Sequence, residues 1–282
     1  MFHVKQVLAV FAACLVGLPA FGAGQAVTVP GRDVELTGLL YEPAGKGPFP
    51  AIVLLHGCSG LLDKSGKPTK SYVYWAEHFQ GLGYAALLLD SFTPRKTQEI
   101  CTQKVRTITP ERERSADAHA ALEWLSQRST VDPQRIHLLG WSNGAMTVLQ
   151  AIKPEAAGRN EKTAGFRSAV AFYPGCAVVN KDGAYRPTTP LLIQAGAADD
   201  WTPAKACEDL VASARKRGVA AEIDVYPDAH HGFDRIDMKV RVRPDVRNPN
   251  SPTGWGASVG TNERAREKSI KRATAFIQER NK

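Results

Sequence analysis

Apolar and polar positions fall into alternating blocks along this chain, and the blocks predict strands and helices in turn. After an opening hairpin, Val34 to Leu40 has a strand pattern, and Pro50 to Leu55 is a continuous apolar run ending at His56-Gly57. Unbroken apolar runs of that length belong to strands buried on both faces. Tyr72 to Gln80 has helical spacing and stops at Gly81 and Gly83. Tyr84 to Leu89 is the next strand and ends on Asp90. From Ser115 to Gln127 a helical stripe carries Ala118, Ala121, Leu122 and Leu125, after which Val131-Asp132-Pro133 resets the chain into the strand Arg135 to Leu139. Ala169 to Tyr173, Pro190 to Gln194 and Ala221 to Tyr226 are three further strands. Ala204 to Lys216 is a helix ending at Gly218, and a last helix runs from Thr261 to Gln278, with Ile270, Ala273, Phe276 and Ile277 to bury.

This succession requires a mostly parallel sheet with helices on both faces, an α/β fold. Two long irregular stretches, Phe92 to Arg114 and Asp234 to Val259, follow strand ends on the edge where sites form in open α/β sheets. They are the expected walls of a substrate pocket.

Charge and composition add a compartment to this picture. Met1 to Lys5 is a short basic start, followed by an apolar run from Val7 to Phe21 that breaks at Gly17 and Pro19 and passes into Gly22-Ala23-Gly24. This is a leader pattern over 1–24, too interrupted for a membrane span, and it implies a secreted or periplasmic protein with no stable span after cleavage. Cys14 can be read as a lipoprotein cysteine, but the apolar stretch continues beyond it through Leu15 and Val16. Residues 25–282 suffice for one domain. The net charge of +8 is spread along the chain, and the cluster Lys239, Arg241, Arg243 and Arg247 either favours anionic ligands or, as the preferred reading, forms a solvated basic surface. Nothing points to nucleic acid. Outside the leader stand Cys58, Cys101, Cys176 and Cys207, an even number without zinc-site spacing, which suits two disulfides in an oxidising compartment.

The chemistry centres on Gly140-Trp141-Ser142-Asn143-Gly144. A serine hydroxyl is a poor nucleophile until a base takes its proton and a carboxylate holds that base. Glycines on either side leave room for the sharp strand-to-helix turn that lifts a nucleophilic serine out of a sheet, and here a strand precedes Ser142 and a helical pattern follows it. The partners should follow in the order acid, then histidine. Asp199 or Asp200 comes after the strand at Leu191, and His230 or His231 after the strand ending at Tyr226. Spacing alone does not separate the neighbours.

Four segments together, His56-Gly57-Cys58-Ser59-Gly60, Gly140 to Gly144, Asp199-Asp200-Trp201-Thr202-Pro203 and Pro227 to Phe233, resemble the dienelactone hydrolase family of α/β-hydrolases, over nearly all of the chain beyond the leader. The resemblance implies the α/β-hydrolase fold, and it points to Asp199 as acid and His231 as base. The founding enzymes have a cysteine nucleophile where this chain has serine, which shifts the expectation from dienelactone toward a broader esterase role. The fold's usual arrangement places the oxyanion donors on the backbone amides of Cys58 and Asn143. His56 is expected as a structural hydrogen-bonder. Trp141 and Trp201 flank the nucleophile and the acid, either lining the acyl pocket or packing in the core. Arg95 leaves a strand end beside the site, where it either grips a substrate carboxylate or makes a surface ion pair. The fold also implies the pairing Cys58–Cys101 and Cys176–Cys207. The resulting expectation is hydrolysis of a small carboxylic ester or lactone through an acyl-enzyme, with no metal or organic cofactor. A small prolyl-oligopeptidase-like peptidase and a non-catalytic binding protein on the same fold are the competing readings.

Overall fold

The apolar runs become the central strands of one eight-stranded sheet in the computed structural model, which describes residues 23–180 and 183–281. The expected leader and Cys14 lie outside these residues, save for Ala23 and Gly24. The chain opens with an antiparallel pair, β1 (Gln25–Pro30) and β2 (Glu35–Tyr41). There follow β3 (Phe49–Leu55), α1 (Lys70–Gly81), β4 (Ala85–Asp90) and α2 (Glu113–Ser126). Next come β5 (Val131–Trp141), α3 (Asn143–Ala151), β6 (Ala169–Phe172) and a short α4 (Cys176–Val179). The sheet is completed by β7 (Leu191–Gly196), α5 (Ala204–Lys216) and β8 (Ala221–Tyr226). Its order is β1-β2-β4-β3-β5-β6-β7-β8, antiparallel at the β1–β2 and β2–β4 contacts and parallel from β4 to β8. This is the α/β-hydrolase arrangement that the sequence predicts.

Because side chains alternate across a strand, each central strand feeds two cores. Val53 and Leu55 of β3, with Leu87 and Leu89 of β4, join α2, α3 and α5 on one face. Ile52 and Leu54, with Ala86 and Leu88, join Trp75 and Phe79 of α1 and, on α6 (Glu263–Glu279), Phe276 and Ile277. A strand fed from both sides has no polar face, which is why β4 and β7 are buried at every position.

Two features depart from the sequence reading. The first is β5, which begins at Val131 rather than Arg135: Val131 pairs with Phe49, the register then shifts, and pairing resumes at Ala51 with Ile136, so Pro133 sits where no ladder bond is needed. The second lies in the stretch from Asp234 to Val259, which is not wholly irregular. It folds an antiparallel hairpin, β9 (Arg241–Arg247) with β10 (Trp255–Val259), separate from the main sheet. Disulfides join Cys58 to Cys101 and Cys176 to Cys207, as the fold implied. The first lies in a small apolar cluster with Ile100, Ile108, Val246 and Ala257, so it anchors the loop after β4 against the new hairpin. No helix among the described residues is long and apolar enough to cross a membrane.

Candidate active site

At the carboxyl end of β5 the backbone turns sharply, and Ser142 takes φ 53° and ψ −115°. Positive φ is costly for any residue with a Cβ, so surrounding packing must hold it. The flanking glycines show how. A Cβ on Gly144 would lie 2.1 Å from the Leu55 carbonyl oxygen, and one on Gly140 would lie 2.5 Å from the Gly144 oxygen. Only bare backbone lets α3 approach β3 and β5 this closely. The Ser142 amide is fixed to the Phe172 carbonyl at 2.9 Å, which leaves its hydroxyl pointing out of the sheet edge.

That hydroxyl lies 2.8 Å from Nε2 of His231, and Nδ1 of the same ring lies 2.8 Å from Oδ2 of Asp199. With Nδ1–H donating to the carboxylate, Nε2 is left to accept the serine proton. Asp199 also accepts the amides of Trp201 and Thr202 on Oδ1, at 2.9 and 2.8 Å, while the Thr202 hydroxyl lies 2.9 Å from Oδ2. Burial opposes ionisation of this carboxyl, but the neighbouring His231 and the bonds from His231 and Thr202 outweigh it and hold the pKa below the ordinary carboxylate range.

The competing neighbours are used elsewhere. Nδ1–H of His230 donates to the Ala198 carbonyl, and Asp200 accepts the amide and hydroxyl of Ser258 on β10. His56 donates from Nδ1 to the Gly57 carbonyl and accepts the Ser91 amide on Nε2 at 3.3 Å. Burial first, and then the positive charge of Arg114, pull its pKa down to about 3, so it is a neutral structural ring. Thr202 is a supporting residue that the order of the triad along the chain does not single out, although an Asp three residues before a Thr can form a turn in which both the backbone and the hydroxyl bond the carboxylate.

A cleft opens over Ser142. Gly57 and Cys58 form one lip: a Cβ on Gly57 would stand 3.5 Å from Cβ of Ser142. Both oxyanion candidates, the Cys58 and Asn143 amides, are unclaimed by any acceptor among the described residues. Trp201 lies against His231 with ring centroids 4.7 Å apart and donates its indole N–H to the Arg247 carbonyl. Trp141 is 2% exposed and contributes to the floor. Its indole donates to Asp234, as do the Trp75 indole and the Tyr173 hydroxyl, so a single buried carboxylate gathers three aromatic donors beneath the site. Burial and the Asp234 charge push Tyr173 well above the ordinary phenol range, which keeps it a donor.

Arg95 does not reach this cleft. Its guanidinium makes a two-point bond with Asp117, both contacts at 2.8 Å, and closes on Asp33, so the substrate-carboxylate reading gives way to the ion pair. The arginines that do line the cleft are Arg235, Arg241 and Arg243, supplied by the hairpin side. Arg243 is paired with Asp245. Burial works against the Arg235 charge, but Tyr72, Tyr173 and Asp234 more than restore it, and its pKa is raised. No group of three or more histidine, cysteine or acidic side chains among the described residues is arranged to hold a metal ion.

Known proteins resemble this chain in sequence and in fold. Over 136 residues the chain is 33% identical to Esterase EstD of Thermotoga maritima, a stretch that covers 46% of this chain and 30% of that esterase. Among solved structures, a dienelactone hydrolase-like promiscuous phosphotriesterase from metagenomic libraries superposes with a TM-score of 0.65 at 18% identity, covering 92% of this chain and 99% of that one. The propionate-bound esterase Est2 of Thermogutta terrifontis gives 0.62 at 20% identity, with 91% and 94% covered. The family model described as dienelactone hydrolase family matches residues 36–280, so this chain belongs to the dienelactone hydrolase family.

Proposed function

We propose that this protein is an exported serine hydrolase that cleaves carboxylic ester or lactone bonds through an acyl-enzyme. The observation that carries the reading is the unbroken line of contacts from Ser142 Oγ through His231 to Asp199, each link 2.8 Å, at the base of an open cleft. In the first half-reaction Ser142 Oγ attacks the acyl carbon while His231 Nε2 takes its proton. Asp199 keeps the ring in the tautomer that can accept it. The negative oxygen of the tetrahedral intermediate is held by the Cys58 and Asn143 amides, and His231 returns the proton to the leaving alcohol. A water molecule then repeats the sequence on the acyl-enzyme. Export is supported by the leader pattern and by two disulfides, which persist outside the reducing cytosol.

A fluorophosphonate probe tests the reading directly. The expected result is one covalent adduct, found by mass spectrometry on the peptide that carries Ser142, together with hydrolysis of short p-nitrophenyl esters. A protein that takes no label would defeat the proposal. Cleavage of aminoacyl anilides but not esters would favour the peptidase reading.

The cleft lining holds arginines and no carboxylate, which supports substrates bearing a negative group. A charge-assisted hydrogen bond contributes about 1.5–3 kcal/mol, so Arg235→Met should lower kcat/KM for an anionic ester by about 10- to 100-fold. Turnover of a neutral ester of the same size should change little. Equal losses on both substrates would remove Arg235 from substrate recognition.

A further inference from the structure

Behind the two proposed oxyanion amides lies a guanidinium with no exposure to solvent, that of Arg114 in the first turn of α2. Nη1 donates to Asn143 Oδ1 at 2.7 Å and Nη2 donates to the His56 carbonyl at 2.8 Å. Asn143 carries one of the amides. His56 opens the turn that leads through Gly57 to Cys58 and the other. A rigid planar fork therefore spans the two segments and sets how far apart they stand. Its position is itself fixed, for Phe92 lies under the guanidinium with its centroid 5.0 Å from Cζ. One turn along α2 is the buried Asp117, which faces Arg114 and is clamped in turn by Arg95.

Stability alone does not explain a cation in this place. Removing a charge from water costs several kcal/mol, and well-packed apolar side chains often serve a fold equally well. Burial lowers the Arg114 pKa to about 10, with Asp117, Tyr72 and Asp90 working against the fall, so the group stays positive at neutral pH.

We propose that Arg114 is a positioning residue for acyl transfer: its fork sets the spacing of the Cys58 and Asn143 amides, and its buried charge stabilises the oxyanion that forms before them. The proposal rests on the hydrolase reading above. Its effect belongs to the transition state, because the oxyanion is absent from the bound ester, and so it falls on kcat rather than KM.

The test compares Arg114→Met and Arg114→Lys with wild type, with rates expressed per active site titrated by a fluorophosphonate. Loss of a single oxyanion donor costs about 10²–10³ in kcat, and the methionine variant, which loosens two donors without deleting either, should lose about 30- to 100-fold with KM nearly unchanged. Lysine keeps the charge but cannot span both acceptors, and should fall between. Affinity for a trifluoromethyl ketone should drop by the same factor as kcat/KM, because Ser142 adds to that ketone and leaves a true oxyanion, its proton passing to His231. Wild-type kcat per titrated site and wild-type ketone affinity in Arg114→Met would overturn the proposal, whatever its melting temperature. If neither Arg114 variant folds, Asn143→Ala decides, since it removes the Oδ1 acceptor and keeps the backbone donor. That variant should lose about 10-fold in kcat, and an unchanged kcat would again overturn the proposal. A wild type that takes no phosphonate label defeats the hydrolase reading itself. Normal labelling with undiminished turnover in Arg114→Met defeats only the role of Arg114.

Discussion

Asp199→Asn is expected to lower kcat by about 10⁴-fold while the protein stays folded. Oδ2 of Asp199 accepts the Nδ1–H of His231, whereas an asparagine amide facing the ring would offer N–H instead. The ring would then carry its proton on Nε2, which would face the Ser142 hydroxyl as a donor, and the base would be lost. The acid loop itself has other supports, because Oδ1 is held by the amides of Trp201 and Thr202. The measurement is kcat at saturating p-nitrophenyl acetate, beside circular dichroism of the same sample. A loss smaller than about 10-fold would assign the orienting role to another group.

Asp234→Ala is expected to have the largest effect on stability. Its carboxylate accepts from the Trp75 indole, the Trp141 indole and the Tyr173 hydroxyl, and all four residues are buried. Alanine leaves three donors without a partner in a place that water does not readily reach. At about 1–3 kcal/mol for each unsatisfied group, the sum is about 3–9 kcal/mol, a large share of the about 5–15 kcal/mol that holds a typical domain together. Urea denaturation followed by tryptophan fluorescence measures it. A change below about 1 kcal/mol would mean that the three donors find other acceptors. Because Trp141 immediately precedes Ser142 and Tyr173 packs on His231 with ring centroids 4.6 Å apart, activity should fail before the fold does as urea rises.

The sheet was legible in the sequence because a strand with helices on both faces has nowhere to place a polar side chain. Ala85 to Leu89 and Leu191 to Ile193 advertise that condition in their composition. The hairpin of β9 and β10 was not legible, for the opposite reason. Arg241-Val242-Arg243-Pro244-Asp245-Val246-Arg247 buries only Val246, carries a proline, and owes its extended shape to its partner strand and to packing beneath the Cys58–Cys101 bridge. Local pattern holds no trace of such support. The same limit applies to single residues. Order along the chain brought Ser142, an acid and a histidine into view, but the choice between Asp199 and Asp200 is made by which carboxylate Thr202 and His231 can reach. Arg95, Arg114 and Arg235 look alike as letters. One is an ion-pair anchor, one lies buried behind two amides, and one lines the cleft, according to where the fold places them.

The backbone of Ser142 carries a consequence for how this protein can change. A non-glycine residue at φ 53° and ψ −115° holds an unfavourable conformation that costs on the order of 1–3 kcal/mol, and glycine would adopt it freely. Position 142 is therefore a site where selection for a sturdier fold and selection for a hydroxyl pull in opposite directions. Ser142→Gly should relieve backbone strain and stabilise the fold, while it removes the hydroxyl on which the proposed acyl transfer depends.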